Sequence, residues 1–118
     1  MADKSPKKIS AAFFRSATGS EPVRDWLKND LDTADRRIVG GDIATVEYGW
    51  PVGMPVCRAL GKGLYEVRSR LSSNRIGRVI FCFQDNSMVL LHGFIKKTQT
   101  TPKVDIEIAR SRQKEIAG

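Results

Sequence analysis

The sequence predicts an α+β fold, and three observations carry that prediction. Three runs rich in β-branched and aromatic residues follow one another after residue 64. Two amphipathic segments precede them, and a third closes the chain. At 118 residues, with 41% apolar and 28% charged, the chain is large enough for one modest core and too small for two.

Taken in order, a polar stretch over residues 1–8 reads as a flexible tail, and one domain is expected from 9 to 118. "SAAFF" at 10–14 suits a short first strand. A helix follows, with Ser20 as its cap, Pro22 in its first turn, and Val23, Trp26, Leu27 and Leu31 on one stripe. A second helix is expected from about Thr33 to Tyr48, carried by Ala34, Ile38 and Val46 and stopped by Gly49, although Gly40 and Gly41 each cost about 1 kcal/mol relative to Ala. "GWPVGMPVCRALGKG" holds too many Gly and Pro residues for a regular element and reads as a loop along the sheet edge. Strands at 64–71, 75–83 and 88–95 then form a meander, joined by "SSN" and "QDNS". The last of these is apolar on both faces and therefore central, whereas the hairpin before it alternates and should keep one face in water. A final helix is capped by Thr101 and buries Ile106, Ala109, Gln113 and Ile116.

Charge is distributed unevenly. Residues 58–103 hold nine Lys/Arg (Arg58, Lys62, Arg68, Arg70, Arg75, Arg78, Lys96, Lys97 and Lys103) against Glu66 and Asp85, so the whole net charge of +7 lies there. An excess confined to the sheet region points to a polyanion-binding patch. If Leu71 pairs with Arg75 across "SSN", Arg68 lies opposite Arg78, with Glu66 and Arg70 on the same face. Tyr65, Val67, Leu71, Val79, Phe81 and Phe83 take the other face and form the core. Like charges facing each other across a strand pair are destabilising unless an anion lies between them, and phosphate is the candidate. Arg78 is thus expected to face phosphate from a solvated surface, dispensable for folding, with Val79 in the core.

The chemistry is bounded by what is missing. Cys57 and Cys82 stand in no metal or redox spacing and read as small buried apolar groups. No cluster of Asp, Glu, His or Cys has metal-ligand spacing, so no metal and no cofactor is expected. No apolar run approaches the roughly 20 residues of a membrane span, and "MADKSPKKIS" lacks the apolar segment of a secretory signal, so a cytoplasmic protein is expected.

"LGKGLYEVRSRLSSNRIGRVIFCF", followed by "MVLLHGFIKKTQTTPK", together with "PVRDWLKND" and "EYGWPVGMPVCRALG", resembles the RelE/HigB toxins of bacterial toxin–antitoxin modules, in their phage Gp49-like branch. The resemblance covers residues 10–116 and implies a RelE-like fold: two helices, a twisted antiparallel sheet and a C-terminal helix. It implies a metal-independent endoribonuclease that cleaves messenger RNA, often on the ribosome, and that is neutralised by a cognate antitoxin, here expected as a helix-turn-helix protein encoded alongside. Attack of a ribose 2′-hydroxyl on the adjacent phosphate needs a base, a leaving-group acid and cations. Arg68, Arg78, Lys96 and Lys97 match basic positions of the family. Glu66 stands where some relatives carry a basic residue, and is either the general base or the residue that orients Arg68. His92 either protonates the leaving oxygen or is a hydrogen-bonded structural histidine. Arg58, Lys62, Arg70, Arg75 and Lys103, with Thr98 and Thr100, are candidates for holding RNA phosphates. Two other classes compete: a ParE-like protein that inhibits DNA gyrase without catalysis, and a non-toxic RNA-binding module.

Overall fold

A computed structural model describes residues 6–117. Its elements run β1 (Ser10–Phe13), α1 (Pro22–Asn29), α2 (Thr33–Gly49), β2 (Cys57–Gly61), β3 (Leu64–Arg70), β4 (Ile76–Gln84), β5 (Ser87–Lys96) and α3 (Lys103–Ala117). The strands form one sheet in the order β1-β5-β4-β3-β2, with β1 parallel to β5 and every other pair antiparallel. The α+β fold is the one read from the sequence, and it is compatible with the RelE-like build.

Turn chemistry sets the register of the meander. Asp85 and Asn86 both have positive φ, which gives the two-residue turn favoured between antiparallel strands. Ser73 and Asn74 do the same at the other tip, where Leu71 donates its N–H to Arg75 O at 2.9 Å. Arg68 therefore stands directly opposite Arg78 and Val67 opposite Val79, as the alternation requires.

The hairpin does not keep a face in water. From Gly77 through Cys82 every residue of β4 is buried. One face carries Val67, Val79, Phe81, Met88 and Leu90 against Val23 of α1 and Val39, Ile43 and Val46 of α2. The other carries Leu64, Ile80, Cys82, Val89 and Leu91 against Ala109, Ile106 and Ile116 of α3. Strict alternation failed as a guide because α3 lies over the face that holds the charges.

Three local expectations are corrected. The Gly- and Pro-rich stretch contains β2, whose Arg58 pairs with Glu66. Only five residues long and bulged between Ala59 and Gly61, it shows no clean period. Ser20 does not cap α1: the cap position is Glu21, without a side-chain bond, while Ser20 and Ser16 close the preceding loop on each other. Thr101 spends its hydroxyl on Glu66 rather than on the start of α3. The expected tail falls partly outside the described residues, and within them Lys8 and Ile9 both donate N–H to Glu47 O. Both cysteines are buried and free.

Trp26 fixes α1 to β5 by lying on bare backbone. A Cβ placed on Gly93 would stand 2.4 Å from the Trp26 ring, so no larger residue fits without displacing the helix. Gly93→Ala is expected to destabilise the protein by about 1–3 kcal/mol. In a Trp26→Leu background the same change should cost much less, which a set of four denaturant titrations measures as a coupling energy.

Candidate functional site

The charged face of the hairpin is a layered site, with buried charges beneath and a basic cleft beside them. Glu66 and Arg78 are both 0% exposed. Glu66 Oε2 accepts from Thr101 Oγ1 at 2.7 Å, and its Oε1 lies 3.7 Å from Arg68 Nε. Arg78 Nη1 donates to Thr100 O at 3.0 Å. Arg68 Nη2 donates to Gln99 O at 3.0 Å and to Gln99 Oε1 at 3.3 Å. The segment between β5 and α3 is thus a strap, pinned by three consecutive residues, Gln99, Thr100 and Thr101, to Arg68, Arg78 and Glu66.

Burial pushes the Arg78 guanidinium below its ordinary pKa, with Glu66 drawing it back up and Arg68 and Arg58 pressing it down. It stays charged all the same, since a guanidinium does not deprotonate in proteins. Arg78 Nε and Nη2 and Glu66 Oε1 have no hydrogen-bond partner among the described residues. The expectation that Arg78 meets solvent and is dispensable for folding is therefore corrected: it is a fully enclosed cation, tied by Nη1 to Thr100 O, in the field of a fully enclosed carboxylate whose own ion pair is with Arg68.

His92 belongs to the same layer. It sits on β5 opposite Ile80, and its Nε2 lies 2.7 Å from Asp105 Oδ1, tying β5 to α3. Burial lowers its pKa and Asp105 partly offsets this, so the ring is neutral at pH 7 and Nε2–H donates to the carboxylate.

The cleft opens where the hairpin tip, α2 and the strap meet. It has a volume of about 780 Å³. Arg68, Arg70, Arg75 and Lys97 line it, with Asp42 as the acid among the lining residues and Ile38 and Met54 on its apolar wall. Arg75 is committed elsewhere by a bidentate pair with Asp35, at 2.9 and 3.3 Å, that ties the hairpin tip to the start of α2. The side chains of Arg70 and Lys97 make no hydrogen bond or ion pair among the described residues, and both residues are exposed.

Of the candidates read from the sequence, the fold gathers Arg68, Arg70, Arg75 and Lys97 around the cleft and puts Glu66 and Arg78 beneath it. Lys96 is exposed at the end of β5, opposite Ile76. Arg58 and Lys62 lie along β2 and its turn, and Lys103 stands 3.9 Å from Glu107 on α3. Thr98 is exposed, and its Oγ1 donates to Thr100 O. Gln99, Asn74 and Asp42 were not anticipated. Gln99 had a usable signal, since it lies within the basic "KKTQTTPK" stretch. Among the described residues, no three His, Cys, Asp or Glu side chains gather as metal ligands would, and no helix is long and apolar enough to cross a membrane.

A sheet clasped between a helix pair and a single helix, with a cation-lined cleft at one hairpin tip, defines a small basic α+β protein. The chain belongs to the family described as phage derived protein Gp49-like (DUF891), whose model matches residues 25–114, and this is a toxin-type family associated with toxin–antitoxin modules. No curated protein matches the chain at a significant level.

Arg78→Ala should cost about 3–5 kcal/mol, because it empties the space of a fully buried side chain and removes a cation whose charge offsets that of Glu66, while the Glu66→Gln, Arg78→Met double variant should recover most of that loss. Chemical denaturation of the three proteins checks both. His92 makes a pH-dependent contribution of fixed sign. Its folded-state pKa is depressed, so the stability it supplies is present above about pH 6.5 and is lost as pH falls through the lower folded value. Melting temperature should accordingly drop more steeply below pH 6.5 in the native protein than in His92→Gln.

Proposed function

We propose that this protein is the toxin of a type II module of the RelE/HigB kind, an endoribonuclease that cuts messenger RNA on the ribosome. The observation that carries the reading is the convergence of Arg68, Arg70 and Lys97 on one cleft in which Asp42 is the acid among the lining residues. Binding RNA needs such a group of cations in excess of the acids around them. Cutting it needs one more thing, a cation held still where charge develops, and Arg68 is pinned between the Gln99 oxygens and Glu66.

In this reading the ribose 2′-oxygen passes its proton to water as it attacks the adjacent phosphorus. The bond from phosphorus to the 5′-oxygen of the next nucleotide breaks and that oxygen takes a proton from water, leaving a 2′,3′-cyclic phosphate. Arg68 stabilises the added charge on the phosphoryl oxygens, and Lys97 and Arg70 hold the flanking phosphates, with Lys96 beside them. Glu66 and Arg78 act from beneath by fixing Arg68 and the strap, because neither reaches solvent. His92 is not among the residues lining the cleft and serves the β5–α3 joint. The partners that follow are messenger RNA, the ribosome and an antitoxin, proposed as a helix-turn-helix protein encoded beside it.

Arg68→Ala should lower cleavage about 10²- to 10³-fold, by analogy with the loss of one transition-state donor. The measurement is primer extension on messenger RNA from translating ribosomes, beside melting curves that establish folding. Expression should arrest growth, with relief by the adjacent protein. Arrest with no cleavage, accompanied by inhibited supercoiling in a gyrase assay, would replace this reading with the ParE-like one.

A further inference from the structure

We propose that Gln99 is the residue with which the cleft selects a base, and that the base is a guanine next to the cleaved phosphate. The inference rests on the endoribonuclease reading above. Phosphate contacts place a nucleic acid, while contacts to base edges discriminate sequence. The cations of the cleft supply the first kind of contact and leave the second to its neutral polar groups.

Those groups are Ser69, Asn74 and Gln99. Ser69 is only 1% exposed, and Asn74 sits on the hairpin tip at φ 61, where its backbone makes the turn. Gln99 is exposed and adjoins Arg68, the group assigned to the reacting phosphate. A nucleobase is separated from its own phosphate by one sugar, so a side chain beside Arg68 is placed to meet a base flanking the cut. No lining residue is aromatic, so the cleft has no stacking platform and relies on hydrogen bonds to tell bases apart.

The orientation of Gln99 follows from chemistry. Arg68 Nη2 meets both the backbone oxygen of Gln99 and its side-chain amide, at 3.0 and 3.3 Å. A guanidinium only donates, so the amide atom facing it is Oε1, and the NH₂ group is turned away with two hydrogens to give. Glutamine pairs with adenine by accepting from N6 and donating to N7, which requires the carbonyl oxygen that Arg68 engages here. A reader restricted to donation favours adjacent acceptors, and guanine presents O6 and N7 side by side. Cytosine and adenine offer exocyclic amino donors at the corresponding positions and are disfavoured.

The test maps cleavage sites by primer extension on a messenger in which every trinucleotide passes through translating ribosomes, for the native protein, Gln99→Ala, Gln99→Glu and Arg68→Ala. The native protein should cut beside guanine about tenfold more often than beside adenine or cytosine. Gln99→Ala should level the three. Gln99→Glu keeps an acceptor for Arg68 and presents a second oxygen, so it should favour adenine and cytosine. Arg68-dependent cleavage whose base preference is the same in all Gln99 variants would overturn the Gln99 assignment and leave the nuclease reading standing. Native protein that cuts no more than Arg68→Ala would overturn both.

Discussion

The carboxylate of Glu66 is the constraint from which the charged half of this protein is built. Register forces Arg68 and Arg78 to face each other across β3 and β4, and Arg58 stands opposite Glu66 on β2. Taking Glu66 and Arg78 out of water costs several kcal/mol per ion, and hydrogen bonds offset this only in part, since Arg78 Nε and Nη2 and Glu66 Oε1 have no partner among the described residues. Water is replaced by a peptide segment: two carbonyls and one hydroxyl from Gln99, Thr100 and Thr101. The charges beneath thereby dictate the course of the strap, and the strap forms a wall of the cleft. Two enclosed charges, Glu66 and Arg78, in this way shape the surface above them.

The sheet divides its faces between two kinds of cohesion. Toward α1 and α2 it is apolar apart from the buried Ser69, with Trp50, Tyr65, Phe81 and Phe83 grouped at one end. Toward α3 it is apolar only as far as Ile80 and Leu91, beyond which the ionic cluster takes over. Hydrophobic burial tolerates small changes of angle, whereas a buried ion pair with carbonyl partners fixes positions to fractions of an ångström. The half held by ions is the half that borders the cleft. The Asp35–Arg75 pair adds a further ionic contact at the hairpin tip, joining it to the first turn of α2.

Much of this was legible in the residues, and what was not has physical reasons. The hairpin register, both turns, the long helices and the segregation of charge follow from local rules, and all are present. Alternation correctly put Arg68 and Arg78 on one face. It carried no information about depth, which depends on α3, a segment some thirty positions further along. β2 was hidden because five residues with a bulge show no period among glycines and prolines. Thr101 occupies an ordinary capping position, and only the enclosed carboxylate opposite it redirects its hydroxyl. Gln99 stood in plain view but became meaningful only once Arg68 was found against both of its oxygens.

The parallel pairing of β1 with β5 determines the order in which the molecule can be assembled. Ser10 meets Ser87, so the first strand made must wait for the last one before it has a neighbour in the sheet. Closing so long a loop delays the gain from its contacts, which slows folding without weakening the finished fold. The cleft waits longer still, since its strap is built after β5 and is held only when Thr101 reaches Glu66. During synthesis the emerging chain therefore carries its cations in an unassembled form, and the arrangement that brings them together is among the last things the polypeptide acquires.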